Sequence, residues 1–254
     1  MRPSPGTSAA LAAPADPPPR VSLRLRDIGS AAVLPEVGAM LALLDDGEHA
    51  RAGRADDPAA AGSFVAGRYL LRLLAAELLG VPAADLVTCF SCPRCGPVPG
   101  TDHGRPAYLL DGGPVPLALS LSRAGGFALL GALDLRGVVR AGHTSSGAAG
   151  APPPSLGVDL AAVSTVAFDG FDDVALTPGE RRAVRRLAPA HRDRARARLW
   201  TRKEALLKAL GTGFAECDPD TVGVLEDGRI TDLHAVDGAV LEPLGLVAAV
   251  AVVP

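Results

Sequence analysis

Aromatic side chains are scarce, only 4% of the 254 residues, and no apolar run is long. The first shortage removes the stacking platforms on which a single-stranded nucleic acid is bound. The second excludes a membrane-spanning helix, because every apolar stretch is broken by glycine, proline or charge well before the ~20 residues a bilayer needs. Residues 1–20 are rich in proline and small side chains but hold no continuous apolar segment of signal-peptide length. They are expected to form a disordered leader, and the protein is expected to be cytoplasmic and away from membranes. A basic excess is also missing: the net charge is −3, which argues against a dedicated nucleic-acid binder while leaving room for a local basic groove. Lysine is far outnumbered by arginine, a compositional bias that carries no function. Cysteine is limited to Cys89, Cys92, Cys95 and Cys217, expected as reduced thiols. The first three, with His103, contain a Cys-x-x-Cys pair twice over and could bind zinc, but the second close ligand pair of a usual structural site is absent.

What is present is ordinary globular material. Hydrophobic residues make up 48% and charged residues 21%, enough apolar surface for a core and too little charge for general disorder. A chain of this length forms one large domain or two moderate ones without disulfides or metal.

Pattern divides the chain in two. Val21 to Leu25 alternates like a short strand and Leu34 to Leu44 reads as a helix, after which charge and small residues interrupt the pattern. From Phe64 to Leu79 a helical stripe contains Phe64, Leu71, Ala75 and Leu78, and Gly80 with Pro82 ends it. Arg68 and Arg72, one turn apart, read as a solvated edge or as contacts to a ligand phosphate. A loop over Cys89 to Pro106 ends in the turn Gly104-Arg105-Pro106. Strand patterns follow at Tyr108 to Leu110, at Pro116 to Ser122 and at Phe127 to Leu133, the last two a hairpin across Arg123 to Gly126. Residues 140–155, with Ser145, Ser146 and three consecutive prolines, read as a linker or mobile loop. Beyond it, Leu156 to Leu160 is a short apolar strand, and Thr177-Pro178-Gly179-Glu180 has the spacing of a capping box with proline at the first helical position. A helix from about Arg192 ends at Gly211, and Val222 to Val224, Ile230 to Ala235 and Val247 to Val253 are candidate strands. The expected fold is α+β: two similar halves, residues 21–139 and 156–254, each with helices on a small, mainly antiparallel sheet, forming a pseudo-dimer. No strong internal sequence repeat accompanies this element count.

Two acids and an amine carry the candidate chemistry. In Leu199 to Gly213 (LWTRKEALLKALGTG), Leu199, Leu206 and Leu210 share one helical face, while Glu204 and Lys208, four residues apart, share a flank. Spacing alone is satisfied by a surface ion pair. Asp159, however, follows Gly157 and Val158 in an apolar strand, where a carboxylate is out of place without a cation, a hydrogen-bond network or a strand end. Asp159 and Glu204 could together hold magnesium, which takes oxygen ligands from one or two carboxylates plus phosphate and water.

Gly157-Val158-Asp159, followed about forty residues later by Trp200-x-x-Lys203-Glu204-x-x-x-Lys208-x-x-Gly211-x-Gly213, resembles the signature of the 4′-phosphopantetheinyl transferase superfamily. Gly67 through Arg72, Gly104-Arg105-Pro106 and Ser120-Leu121-Ser122 extend the resemblance upstream, so that it spans about Phe64 to Val224 and is closest to the long, two-halved type that serves synthetases and polyketide synthases. The resemblance implies a magnesium-dependent, monomeric enzyme that moves the phosphopantetheine arm of coenzyme A to a serine of an acyl or peptidyl carrier protein. It further implies magnesium on Asp159 and Glu204, Lys208 on a phosphate oxygen, and Glu204 or a metal-bound water taking the serine proton. Lys203 is assigned to coenzyme A or to an internal pair, Arg105 to the adenosine end, and Ser120 and Ser122 to the 3′-phosphate, the alternative for the serines being the polar face of an edge strand. Some of the arginines between Arg181 and Arg202 would dock an acidic carrier. Three departures stand against this pattern: Leu121 where a phosphate-contacting histidine is common, Ala118 for a frequent asparagine, and Ala161 for a second acid. They keep open a non-catalytic or weakly active protein that binds coenzyme A or a carrier.

Overall fold

The computed structural model describes residues 20–29, 37–92, 96–97, 104–137, 152–215 and 217–254. All but Arg20 of the expected leader region, and residues 140–151 of the expected linker, lie outside the described residues.

The first half opens with strand β1 (Val21–Asp27) and helices α1 (Val37–Leu41), α2 (Asp46–Gly53) and α3 (Pro58–Leu79). Strands β2 (Leu117–Ala124) and β3 (Phe127–Asp134) complete its antiparallel sheet in the order β1-β3-β2. The charged stretch read as an interruption contains α2, whose start is fixed by the reciprocal capping box of Asp45 and Glu48. Helix α3 likewise begins earlier than its apolar stripe: Asp57 accepts from the backbone N–H groups of Ala59 and Ala60, and Pro58 occupies the first turn. Residues 58–63 are small and carry no periodicity, which hid this first turn and a half. Between β2 and β3 the chain reverses at Gly125 and Gly126, with φ of 58° and 79°. Both positions need the left-handed region, so two glycines make the tight hairpin possible.

The second half repeats the plan. It runs through β4 (Ser155–Ala162), α4 (Phe171–Ala175), α5 (Pro178–Arg185), α6 (Pro189–Leu210), β5 (Ile230–Leu233) and β6 (Leu246–Val253), with sheet order β5-β6-β4. In both sheets the last strand is central and antiparallel to the two that flank it, and a 22-residue helix lies between the first and second strands. The Thr177–Glu180 capping box and Pro178 start α5 as expected. The segment Val222–Val224, expected as a strand, is instead irregular, because the Val224 N–H is taken by the Glu180 carboxylate at 3.0 Å and not by a neighbouring strand.

The four layers follow from alternation along the strands. Leu71, Leu74 and Ala75 of α3 pack on Leu117, Leu119 and Leu130. Between the sheets, Leu129 and Leu133 meet Leu156, Val158, Leu160 and Leu246. On the far side, Leu199, Ala205, Leu206 and Ala209 of α6 cover Val247, Ala249 and Ala251. Leu210, expected on that buried face, is 39% exposed at the helix end, where Gly211 turns the chain away. Two glycines let the layers close: a Cβ on Gly131 would sit 2.7 Å from Val158 Cγ1, and one on Gly157 would sit 1.9 Å from the Ala205 carbonyl oxygen.

Candidate functional site

The two halves meet where edge strand β2 lies beside edge strand β4. Ser120 Oγ accepts from the Val158 N–H at 2.9 Å, and Ser122 Oγ donates to Asp159 Oδ1 at 2.7 Å. Both serines are buried. They therefore act as a polar seam in place of ladder hydrogen bonds between the sheets. The Ser122 proton is committed to Asp159, so this hydroxyl has none to give to the 3′-phosphate assigned to it from sequence; the Ser120 proton remains available.

Asp159 is buried on the face of β4 that looks toward α6, and its Oδ1 also accepts from Lys208 Nζ at 2.6 Å. Burial raises the Asp159 carboxyl above the ordinary carboxylate range, although Lys208 and Ser122 both pull it down. Glu204, one turn before Lys208 on α6, is also raised, by burial first and then by the charge of Asp159, with Lys208 opposing. The structure thus pairs Lys208 across the seam with Asp159, while Glu204 forms no ion pair with a described residue. A simple surface pair between Glu204 and Lys208 does not exist. Among the described residues no third acid, histidine or cysteine joins these two in a metal-binding group. Ala161, where a further acid was sought, is buried in the apolar layer under α6.

A cleft of about 450 Å³ opens beside this seam. Lys208, Ser120 and Ser122 line it together with Arg105, Arg68 and Arg123, and none of its lining residues is a carboxylate. Arg105 donates to the Ala209 carbonyl at 3.0 Å, as does Ser155 Oγ at 2.7 Å. The orphan carbonyl at the C-terminal end of α6 thus holds Arg105 at the cleft wall. A larger cleft, about 700 Å³, lies by Phe168, Phe171 and Trp200, but Asp173, Asp218 and Asp220 line it and make it unsuited to a phosphate ligand.

Lys203 is not in the cleft. Its side chain is 0% exposed, and its Nζ lies 2.7 Å from each of three acceptors: Glu180 Oε2, the Ala175 carbonyl and the Pro219 carbonyl. The internal pair is the role the structure gives it, and the coenzyme A contact assigned to it is corrected. An ammonium with three donors fits three acceptors around one point, which a planar guanidinium does not.

The N-terminal arginines also differ from a solvated edge. Arg72 is buried and bound to Glu48, Thr88 and the Leu86 carbonyl, away from the cleft lining. Arg68 is 8% exposed and stacks on Phe90, 4.4 Å from the ring centre, and its Nε has no hydrogen-bond partner. Arg123, read from sequence only as part of a turn, is the cleft residue that reasoning missed. It continues the β2 face of Leu117, Leu119 and Leu121, and a charge ending such an apolar face was the available signal. Leu121 itself packs on α3, its methyl carbons 3.3 and 3.6 Å from where a Cβ on Gly67 would stand. Cys89 is buried and free; the side chain of Cys92, together with Cys95 and His103, lies outside the described residues, and so does the zinc reading.

An α+β fold with a seam of buried acid, hydroxyl and amine, opening into a cation-lined cleft, defines a protein that can bind a polyanion beside two carboxylates. Residues 155–233 match the model of the 4′-phosphopantetheinyl transferase superfamily. The matched segment contains Asp159, Lys203, Glu204 and Lys208 and supports phosphopantetheine transfer in general. The first-half residues Arg68, Arg105, Ser120 and Ser122 fall outside it. No curated protein matches the chain.

Proposed function

We propose that this protein transfers the 4′-phosphopantetheine arm of coenzyme A to a serine hydroxyl of an acyl or peptidyl carrier protein, releasing adenosine 3′,5′-bisphosphate, as a transferase of the long, two-halved type. The observation that carries the reading is the meeting of Asp159 and Lys208, with Glu204 one turn away, beside a cleft whose charged lining side chains are all cationic.

Two neighbouring carboxylates, both held toward their protonated forms by burial, form a site that a divalent cation would stabilise. Both hydrogen bonds to Asp159 from Ser122 and Lys208 fall on Oδ1, so Oδ2 receives neither. Asp159 and Glu204 would hold magnesium through oxygen, a donor set that suits the ion when water and phosphate complete it. Bound there, the ion would supply positive charge to the pyrophosphate as it is split. The chain's own groups do the rest. Lys208 moves part of its hydrogen bonding from Asp159 to a phosphate oxygen, and Arg105 binds the adenosine end. Glu204, whose raised pKa makes it a stronger base than an ordinary carboxylate, takes the proton of the attacking serine. The bond formed is serine oxygen to phosphorus, and the bond broken joins that phosphorus to the bridging oxygen of the pyrophosphate.

The test is the intact mass of an apo carrier protein after incubation with the protein, coenzyme A and magnesium. A phosphopantetheine-sized gain, lost in Glu204→Ala, is the expected result; full activity in that variant would remove Glu204 from its role. Ala161 in the place of a second acid, with no third metal-binding residue beside Asp159 and Glu204 among the described residues, favours a second reading, a protein that binds coenzyme A or a carrier without efficient transfer. That reading predicts binding of coenzyme A with no mass gain.

A further inference from the structure

We propose that Ser122 of the first half is a positioning residue for the divalent-cation centre of the second, holding the Asp159 carboxylate in place through its hydroxyl, an inference that rests on the function proposed above. Ser122 Oγ lies 2.7 Å from Asp159 Oδ1 and 3.5 Å from the Leu160 carbonyl, so its one proton goes to the carboxylate. Both partners are buried, and water competes little for either. The bond joins residues 37 apart in the chain. It also joins the halves, since Ser122 is on β2 and Asp159 on β4. The same strand fixes the register of this contact two residues earlier. Ser120 accepts from the Val158 N–H at 2.9 Å, and it stands opposite Gly131, whose missing side chain leaves room for Val158.

Asp159 Oδ1 has two side-chain donors, Ser122 Oγ and Lys208 Nζ, and they are not equivalent. Lys208 lines the cleft with its side chain 29% exposed, and its ammonium has three protons, so a bound phosphate can draw some of them away. Ser122 reaches the cleft wall as well, but its single proton is already in a short bond to a buried carboxylate. Turning that proton to a ligand would strip Oδ1 of the donor. When Lys208 shifts toward a phosphate oxygen, Ser122 is therefore the donor that stays. With Oδ1 held, the carboxyl cannot rotate without breaking a bond, and Oδ2 is left free of both donors. A hydroxyl donating to a metal-binding carboxylate fixes its orientation and favours its ionised form, the form a cation needs. Residues 155–233, which match the superfamily model, do not include Ser122. The cation centre is thus completed from the first half of the chain, through the seam between β2 and β4.

Manganese, a paramagnetic ion that shares the oxygen preference of magnesium, reads the centre without turnover. Its binding to the full chain, with and without coenzyme A, is followed by electron paramagnetic resonance in wild type, Ser122→Ala and Ser122→Thr. Metal-free calorimetry with coenzyme A and dephospho-coenzyme A runs alongside. Ser122→Ala should weaken manganese binding by about tenfold or more, the cost of losing a hydrogen bond that orients a metal ligand. Its metal-free affinities for the two coenzyme A forms should stay as in wild type. Ser122→Thr keeps the hydroxyl and should recover most of the manganese affinity. Should Ser122→Ala not fold, Ser122→Cys, nearly isosteric and a weak donor, takes its place in the same comparison. If the variant without the hydroxyl binds manganese as wild type does, the positioning role is overturned while the transferase reading stands. A loss of coenzyme A affinity that spares the dephospho form would overturn it as well, because the hydroxyl would then serve the 3′-phosphate. If wild type binds no manganese in either condition, the role and the cation-dependent transfer proposed above both fall.

Discussion

At the scale of single residues, the role proposed for Asp159 and Glu204 carries a cost in stability. The folded-state pKa values of Asp159 and Glu204 lie above their ordinary ones, so the folded protein binds protons there more tightly than the unfolded chain. Their contribution to stability is therefore greatest below the ordinary carboxylate pKa and declines as pH rises through the raised values. Glu204→Gln should remove part of that penalty. Its melting temperature at pH 7–8 should exceed that of wild type by roughly 2–4 °C, the shift that about 1 kcal/mol gives in a chain of this size. The difference should vanish near pH 4, where the wild-type carboxyl is protonated. A melting temperature lowered at neutral pH would contradict this account. If the proposed transfer depends on Glu204 as a base, activity should fall on the acid side at a higher pH than free carboxylates titrate.

Lysine shows how much of this was readable beforehand. The chain has two lysines, Lys203 and Lys208, both on α6 and five residues apart. Helical spacing puts them on different faces, but it does not say which face is buried against what. Lys208 reaches Asp159 across the seam, and Lys203 closes a fully buried pair with Glu180. The partners lie 49 and 23 residues away in sequence, beyond the reach of any local pattern.

Among the elements, the contact of β4 with α6 decides where the acids stand. The strand lies directly on the helix backbone because position 157 has no side chain. A Cβ there would come within 1.9 Å of the Ala205 carbonyl oxygen and 2.6 Å of the Ala209 nitrogen, both backbone atoms that cannot turn aside. Gly157→Ala should therefore cost at least about 3 kcal/mol, more than ordinary overpacking, and should move Asp159 away from Lys208. Urea denaturation checks it, and an unchanged midpoint would show that the strand and helix can separate without loss. The strand itself, the hairpin at Gly125–Gly126 and the Thr177 cap were legible from local sequence, since each depends on alternation, turn chemistry or capping within a few residues. Helix α2 and the start of α3 were not, because their first turns are set by Asp45 and Asp57 rather than by apolar periodicity. Val222–Val224 failed as a strand for the converse reason: it has strand-like composition but gives its N–H to Glu180.

In the whole molecule, the inter-sheet core belongs to neither half alone. Leu129 and Leu133 on one side and Leu156, Val158 and Leu246 on the other would all be exposed if the halves parted. We therefore expect one cooperative unfolding transition. The aromatic residues provide separate reporters, since Trp200 lies in the second half and Tyr69 and Tyr108 in the first. Urea curves followed by tryptophan fluorescence and by tyrosine absorbance should coincide; two separated midpoints would mean that the halves fold independently.

The sequence by itself determined the α+β class, most of the strands and the two long helices, and it singled out Asp159, Glu204 and Lys208, because these rest on periodicity and on residue types out of place in their local surroundings. Only the tertiary structure decided that the halves share a strand order, that Lys203 is internal, that Ser122 spends its proton on Asp159, and that Arg123 joins Arg68 at the cleft. Those outcomes depend on which faces meet across the seam between β2 and β4, and a contact between strands far apart in the chain leaves no periodic trace in either.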